Sequence, residues 1–96
     1  MAFLYRLNPP RADFADDMSP DESATMDRHV VYWQELLDGG TALAFGPVFD
    51  PDEPWGLGLL DVDREQEARG VGESDPAVEE GVCTYELTPM HLVRPG

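Results

Sequence analysis

Few side chains in this sequence can move a proton or hold an ion. His29, within SPDESATMDRHVVYWQELLDGG (19–40), is the most suggestive. An imidazole changes charge near neutral pH, so it can serve as general base or acid. The second histidine, His91, lies close to the C-terminal end and reads as a surface residue. No HxH, HxxxH or CxxC spacing is present, so no metal is expected. Asp50, Asp52 and Glu53 lack the twelve-residue loop of a calcium site and read as a solvated turn. A nucleophilic triad is not expected either. Cys83 falls within a strand pattern, and Ser19 and Ser74 read as cap and turn residues. RGVGESD (69–75) has two glycines but no lysine, so it is a helix terminus and not a phosphate loop.

The segment that must position His29 is an amphipathic helix with both ends marked. Ser19 is the N-cap, Pro20 occupies the first helical position, and Glu22 completes a Ser-x-x-Glu capping box. Gly39-Gly40 stops the helix. Met26, Val30, Trp33 and Leu37 recur at helical spacing and define an apolar stripe. His29 sits on its shoulder, about 60° from the centre at about 100° per residue.

Around this helix the pattern is extended. Ala2–Asn8 alternates, with Phe3, Tyr5 and Leu7 on one face and Leu4 and Arg6 on the other, until Pro9-Pro10 ends it. Residues 11–18, RADFADDM, form an acidic loop whose only anchor is Phe14, which suggests a mobile flap beside two cations, Arg6 and Arg11, available to steer an anionic substrate. Residues 42–49 form a strand with Leu43, Phe45 and Phe49 on one face and Ala42, Ala44, Gly46 and Val48 on the other. Residues 50–56 are turn material, and residues 56–63 a further strand, giving a hairpin. Residues 64–73 start as a polar helix that Gly70 and Gly72 weaken. Residues 82–88 form a strand, and a separate extended piece, 90–93, follows Pro89.

The order β-α-β-β-α-β predicts an α+β, ferredoxin-like fold, a four-stranded antiparallel sheet with two helices on one face, as a single domain over 1–96. Apolar residues on both sides of the strands leave one sheet face in need of cover, which predicts a homodimer about a two-fold axis. Eleven Asp and nine Glu oppose six Arg, with no Lys, for a net charge of −14. Such a chain is repelled by nucleic acid and by anionic membranes, so neither is an expected partner. One cysteine, no signal-like N-terminus and no long apolar run predict a cytoplasmic protein.

His29, Gly40, Gly46-Pro47, Gly56 and Asp75-Pro76, in this order and spacing, resemble the YCII-related pattern of the dimeric α/β-barrel superfamily. The resemblance covers nearly the whole chain. It implies a ferredoxin-like protomer that pairs sheet to sheet, and an active site built on a His–Asp pair, carried here onto His29 and Asp75. Related barrels include enzymes acting on lactones, quinols and other cyclic or aromatic metabolites. Two departures stand out: the loop at 9–18 is long, and the second helix is broken by glycine.

A His–Asp pair does acid–base work when the carboxylate fixes the imidazole tautomer and favours its charged form. The opposing reading is a half-buried histidine satisfied for stability alone. Candidate pocket residues are Tyr5, Arg6, Trp33, Phe45, Gly46 and Pro47, with Trp55 as a further aromatic. Tyr5 and Arg6 point to opposite strand faces, so only one can face a given cavity, and Trp33 and Phe45 also fit a plain core. Two functions follow. One is a small acid–base enzyme of lyase, isomerase or dehydrohalogenase type, acting on a small cyclic or aromatic metabolite without a cofactor. The other is a non-catalytic dimeric module that binds a metabolite or a protein.

Overall fold

Strict alternation makes β1, Ala2–Asn8, the spine of the sheet: Phe3, Tyr5 and Leu7 are buried, while Leu4 and Arg6 face the other way. In the computed structural model, which describes residues 1–95, the chain continues through α1 (Phe14–Asp17), α2 (Pro20–Asp38), β2 (Ala42–Val48), β3 (Trp55–Asp61), α3 (Glu65–Ser74), α4 (Pro76–Glu79) and β4 (Thr84–Met90). The strands form one antiparallel sheet in the order β2-β3-β1-β4. This is the ferredoxin-like arrangement, α+β, with β1 and β3 at the centre. Both long helices lie on the face that carries Tyr5, α2 through Trp33 and α3 against Tyr85. No helix among the described residues is long and apolar enough to cross a membrane.

Helix α2 begins where local chemistry dictates. Ser19 Oγ accepts from the Glu22 N–H at 3.1 Å, and Glu22 Oε1 accepts from the Ser19 N–H at 2.9 Å. Gly40 ends it with φ of +84°. Its inward face is turned relative to the expected stripe. Thr25 and Trp33 are buried, Met26 and Leu36 pack on the core, and Val30 is 51% exposed. The indole of Trp33 packs on the sheet at a position where no side chain opposes it. Beneath it is Gly58, paired with Tyr5 on one side and Phe45 on the other, and a Cβ there would stand 2.4 Å from the indole ring. Gly58→Ala should therefore displace Trp33 and cost roughly 1–3 kcal/mol by overpacking. Urea unfolding together with the near-ultraviolet signal of Trp33 checks this; an unchanged midpoint would show that the indole has room to shift.

Four expectations need correction. First, β2 does not alternate throughout. A bulge between Ala42 and Ala44 makes Leu43 the extra residue, so Ala42 shares the covered face with Phe45, and Phe49 lies past the strand end, 84% exposed. Second, α3 runs through Gly70 and Gly72 to Ser74. At position 72 the missing side chain is what permits packing, since a Cβ would lie 2.4 Å from the ring of Tyr85. Third, β4 continues through Pro89, which pairs with Phe3; an edge strand tolerates a residue without an N–H. Fourth, the 9–18 segment is strapped down. Besides buried Phe14, Arg11 donates to Asp17 Oδ1 at 2.8 Å and to both oxygens of Glu22 at 2.8 and 2.9 Å. These hydrogen bonds from Arg11 hold the Glu22 carboxyl at about 2, well below the usual range.

Candidate active site

Asp75 occupies the single residue between α3 and α4. The following proline keeps it extended, with φ −62° and ψ 123°, so its side chain turns inward and caps α4. It is fully buried, and four donors converge on it. Ala77 N–H donates to Oδ1 at 2.9 Å, while Trp33 Nε1–H and the Tyr5 hydroxyl donate to Oδ2 at 2.8 and 2.9 Å. His29 Nδ1 lies 2.9 Å from Oδ1 and 3.0 Å from Oδ2. A backbone N–H and an indole N–H can only donate, so the carboxyl acts as an acceptor throughout. The ionised form of Asp75 satisfies all four partners at once, with Nδ1 of His29 carrying the shared proton. Burial pushes the Asp75 carboxyl up. The hydrogen bond and charge of His29, with Trp33 and the Ala77 N–H, outweigh that and hold it below its ordinary value. The Tyr5 phenol is driven strongly upward, first by burial and then by the Asp75 charge, so it remains a donor.

The elements that position His29 are held to one another. Thr25 Oγ1 lies 2.9 Å from Glu80 Oε1, and Arg28 pairs with the same carboxylate, which ties α2 to the end of α4. One turn beyond His29, at i+4 on the same face, Trp33 reaches the same carboxylate. Tyr5 stacks on Tyr85 with ring centroids 5.6 Å apart and tilts against Trp33 at 4.7 Å. The second nitrogen of His29, Nε2, has no hydrogen-bond partner among the described residues, yet no buried side-chain nitrogen or oxygen among them lacks one. Nε2 is therefore the accessible atom of the pair.

The His29 side chain borders a half-enclosed cavity of about 260 Å³ between α2, the 9–18 segment and the adjoining ends of β1, β2 and β3. Of the candidate pocket residues, Tyr5, Trp33, Phe45, Gly46 and Pro47 line it together with His29. Arg6 does not. It lies on the opposite sheet face, its guanidinium 4.4 Å over the Trp55 ring and its Nε donating to Asn8 at 2.9 Å. Arg11 is committed to Asp17 and Glu22, so neither arginine is placed to receive an anionic group as expected. Phe14, Met18 and Pro54 were not legible as lining residues, because each joins the cavity from a loop-like segment without periodicity. Trp33 was legible as core but not as a hydrogen-bond donor to Asp75. Its i+4 relation to His29 was the available signal.

The arrangement can move a proton. A buried carboxylate holds Nδ1–H, which presents the Nε2 lone pair to the cavity and stabilises the imidazolium once it forms. Burial pushes the Cys83 thiol up to about 11, so it stays protonated and is a poor nucleophile. Among the described residues, no group of three or more His, Cys, Asp or Glu side chains is placed to hold a metal ion.

The chain is similar in structure to 5-chloro-2-hydroxyhydroquinone dehydrochlorinase (TftG) from Burkholderia phenoliruptrix AC1100, solved in complex with 2,5-dihydroxybenzoquinone. The TM-score is 0.72 and the identity 14%, over 95% of this chain and 94% of that one. No curated protein sequence matches. The sequence profile of the YCII-related domain matches residues 3–91, so the chain belongs to the YCII-related family.

Proposed function

We propose that this protein is a small acid–base enzyme, of lyase, isomerase or dehydrohalogenase type, in which His29 Nε2 takes a proton from a small cyclic or aromatic metabolite. The observation that carries this reading is the asymmetry of the imidazole: Nδ1 is locked to a buried, four-fold hydrogen-bonded Asp75, while Nε2 is left unpaired on a ring that borders an apolar cavity. Asp75 fixes the tautomer and orientation of the ring, and Tyr5 and Trp33 hold Asp75. In an elimination, the C–H bond breaks as Nε2 takes the proton, and its electron pair forms the new double bond. The leaving group departs with its own bonding pair, and the imidazolium then releases its proton to solvent. The likeness to a dehydrochlorinase supports a reaction of this kind.

The test is proton and chloride bookkeeping in heavy water with a panel of chlorinated hydroquinones and cyclic ketones. Deuterium uptake or chloride release that depends on His29 is the expected result. Ligands that shift the His29 resonances without any exchange would leave a non-catalytic binding module instead.

We also propose a homodimer through the uncovered sheet face, where half-buried Leu4, Val48, Leu57 and Leu59 cluster. Light scattering should return twice the chain mass, and a monomer at all concentrations would refute it.

A further inference from the structure

We infer that the cavity takes an uncharged, flat, mostly apolar ring that presents one polar edge to His29, and that it rejects carboxylated or phosphorylated metabolites. This deepens the proposed reading, on which it rests, by naming the class of compound the same site receives. The lining is aromatic and thioether from several directions: Phe14 and Met18 from the strapped segment, Met26 and Trp33 from α2 and Phe45 from β2. No Lys, Arg, Asp or Glu side chain belongs to it, and neither does any amide side chain. Its one hydroxyl, that of Tyr5, is already donated to Asp75. The polar side-chain atom left over is His29 Nε2.

An anionic ligand would give up its water for a lining that holds no fixed cation. The buried charge of Asp75 and a net charge of −14 oppose it further. A cationic ligand would find no carboxylate either, since Asp75 is fully buried and spent on four donors. A neutral ring loses little on entering. Size agrees with this: an apolar cavity of about 150 Å³ holds benzene. At about 260 Å³ this one has room for a substituted monocycle or two fused rings. A single hydroxyl on its edge can donate to Nε2. A second polar group set deep in the lining would be left without a partner, so further substituents belong at the open side, near half-exposed Val30.

Four probes of one shape test this by calorimetry and by the ring resonances of His29: naphthol, naphthalene, naphthoate and naphthyl trimethylammonium. Naphthol should bind roughly ten-fold or more tightly than either charged analogue and should shift His29. His29→Asn should still bind naphthalene but lose the preference for naphthol over it. Val30→Arg, a change at an exposed position on the rim, should narrow the gap between naphthol and naphthoate by about ten-fold. Naphthoate or the ammonium analogue binding as well as naphthol would overturn the inference. So would a gap that Val30→Arg leaves unchanged, or naphthol shifts that bypass His29. Naphthol binding as expected, with no proton exchange on any carbon acid in the panel, would support the ligand class and overturn the catalytic reading alone.

Discussion

His29→Asn should lower turnover by roughly a hundred- to ten-thousand-fold, the range that a positioned general base contributes, while the fold survives. The asparagine amide can occupy the place of Nδ1–H and go on donating to Asp75, so no buried acceptor is orphaned. What disappears is Nε2, which makes no hydrogen bond among the described residues. The separation between activity and stability is therefore the diagnostic. The variant should unfold within about 1 kcal/mol of the parent and still bind apolar rings, with deuterium exchange gone. A variant that unfolds several kcal/mol earlier would mean that the ring is there to complete the core. Undiminished exchange would remove His29 from the chemistry.

Asp75→Ala should produce the largest stability loss of any single substitution, roughly 3–5 kcal/mol. It strips the partner from Tyr5 O–H, Trp33 Nε1–H, Ala77 N–H and His29 at once, all around a site with no access to water. At about 4–8 °C per kcal/mol in a domain of this size, that is a fall of some tens of degrees in Tm. Asp75→Asn should lose less, because an amide oxygen still accepts, but its NH₂ faces donors where an oxygen stood. Acid provides an independent check. The Asp75 carboxyl is held below its ordinary value, so its contribution is complete above about pH 4, the unfolded-state value. That contribution is lost as pH falls through the folded-state value. Asp75→Asn should flatten this part of the pH profile. An Asp75→Ala loss below about 1 kcal/mol would show that the cluster of donors relaxes onto water, and that the carboxylate serves only the imidazole.

The sequence by itself determined what depends on near neighbours. The start of α2 was legible because Ser19, Pro20 and Glu22 satisfy the first turn's N–H groups within three residues of one another, and its end because Gly40 takes a positive φ. β1 was legible from strict alternation, and the antiparallel α+β order followed from the succession of periods and turns. His29 was identifiable as an imidazole near an apolar face. Asp75 entered only through a resemblance, since the proline that follows it also follows Asp50 and by itself marks no site. The tertiary structure decided the rest, because each remaining feature needs a partner far along the chain. Gly72 is compatible with a helix because Tyr85 lies against it, and Gly58 with a strand because Trp33 does. The faces of β2 were misjudged at Leu43, where a bulge shifts the register by one and pattern alone has no means of counting it. Arg11 could not be distinguished from a free cation until Asp17 and Glu22 were seen to hold it, nor Arg6 from a pocket residue until its strand face was fixed. The convergence of Tyr5, His29, Trp33 and Ala77 on Asp75 spans 2 to 70 residues of separation. A buried charge collects its partners by position in space, and sequence distance places no limit on them.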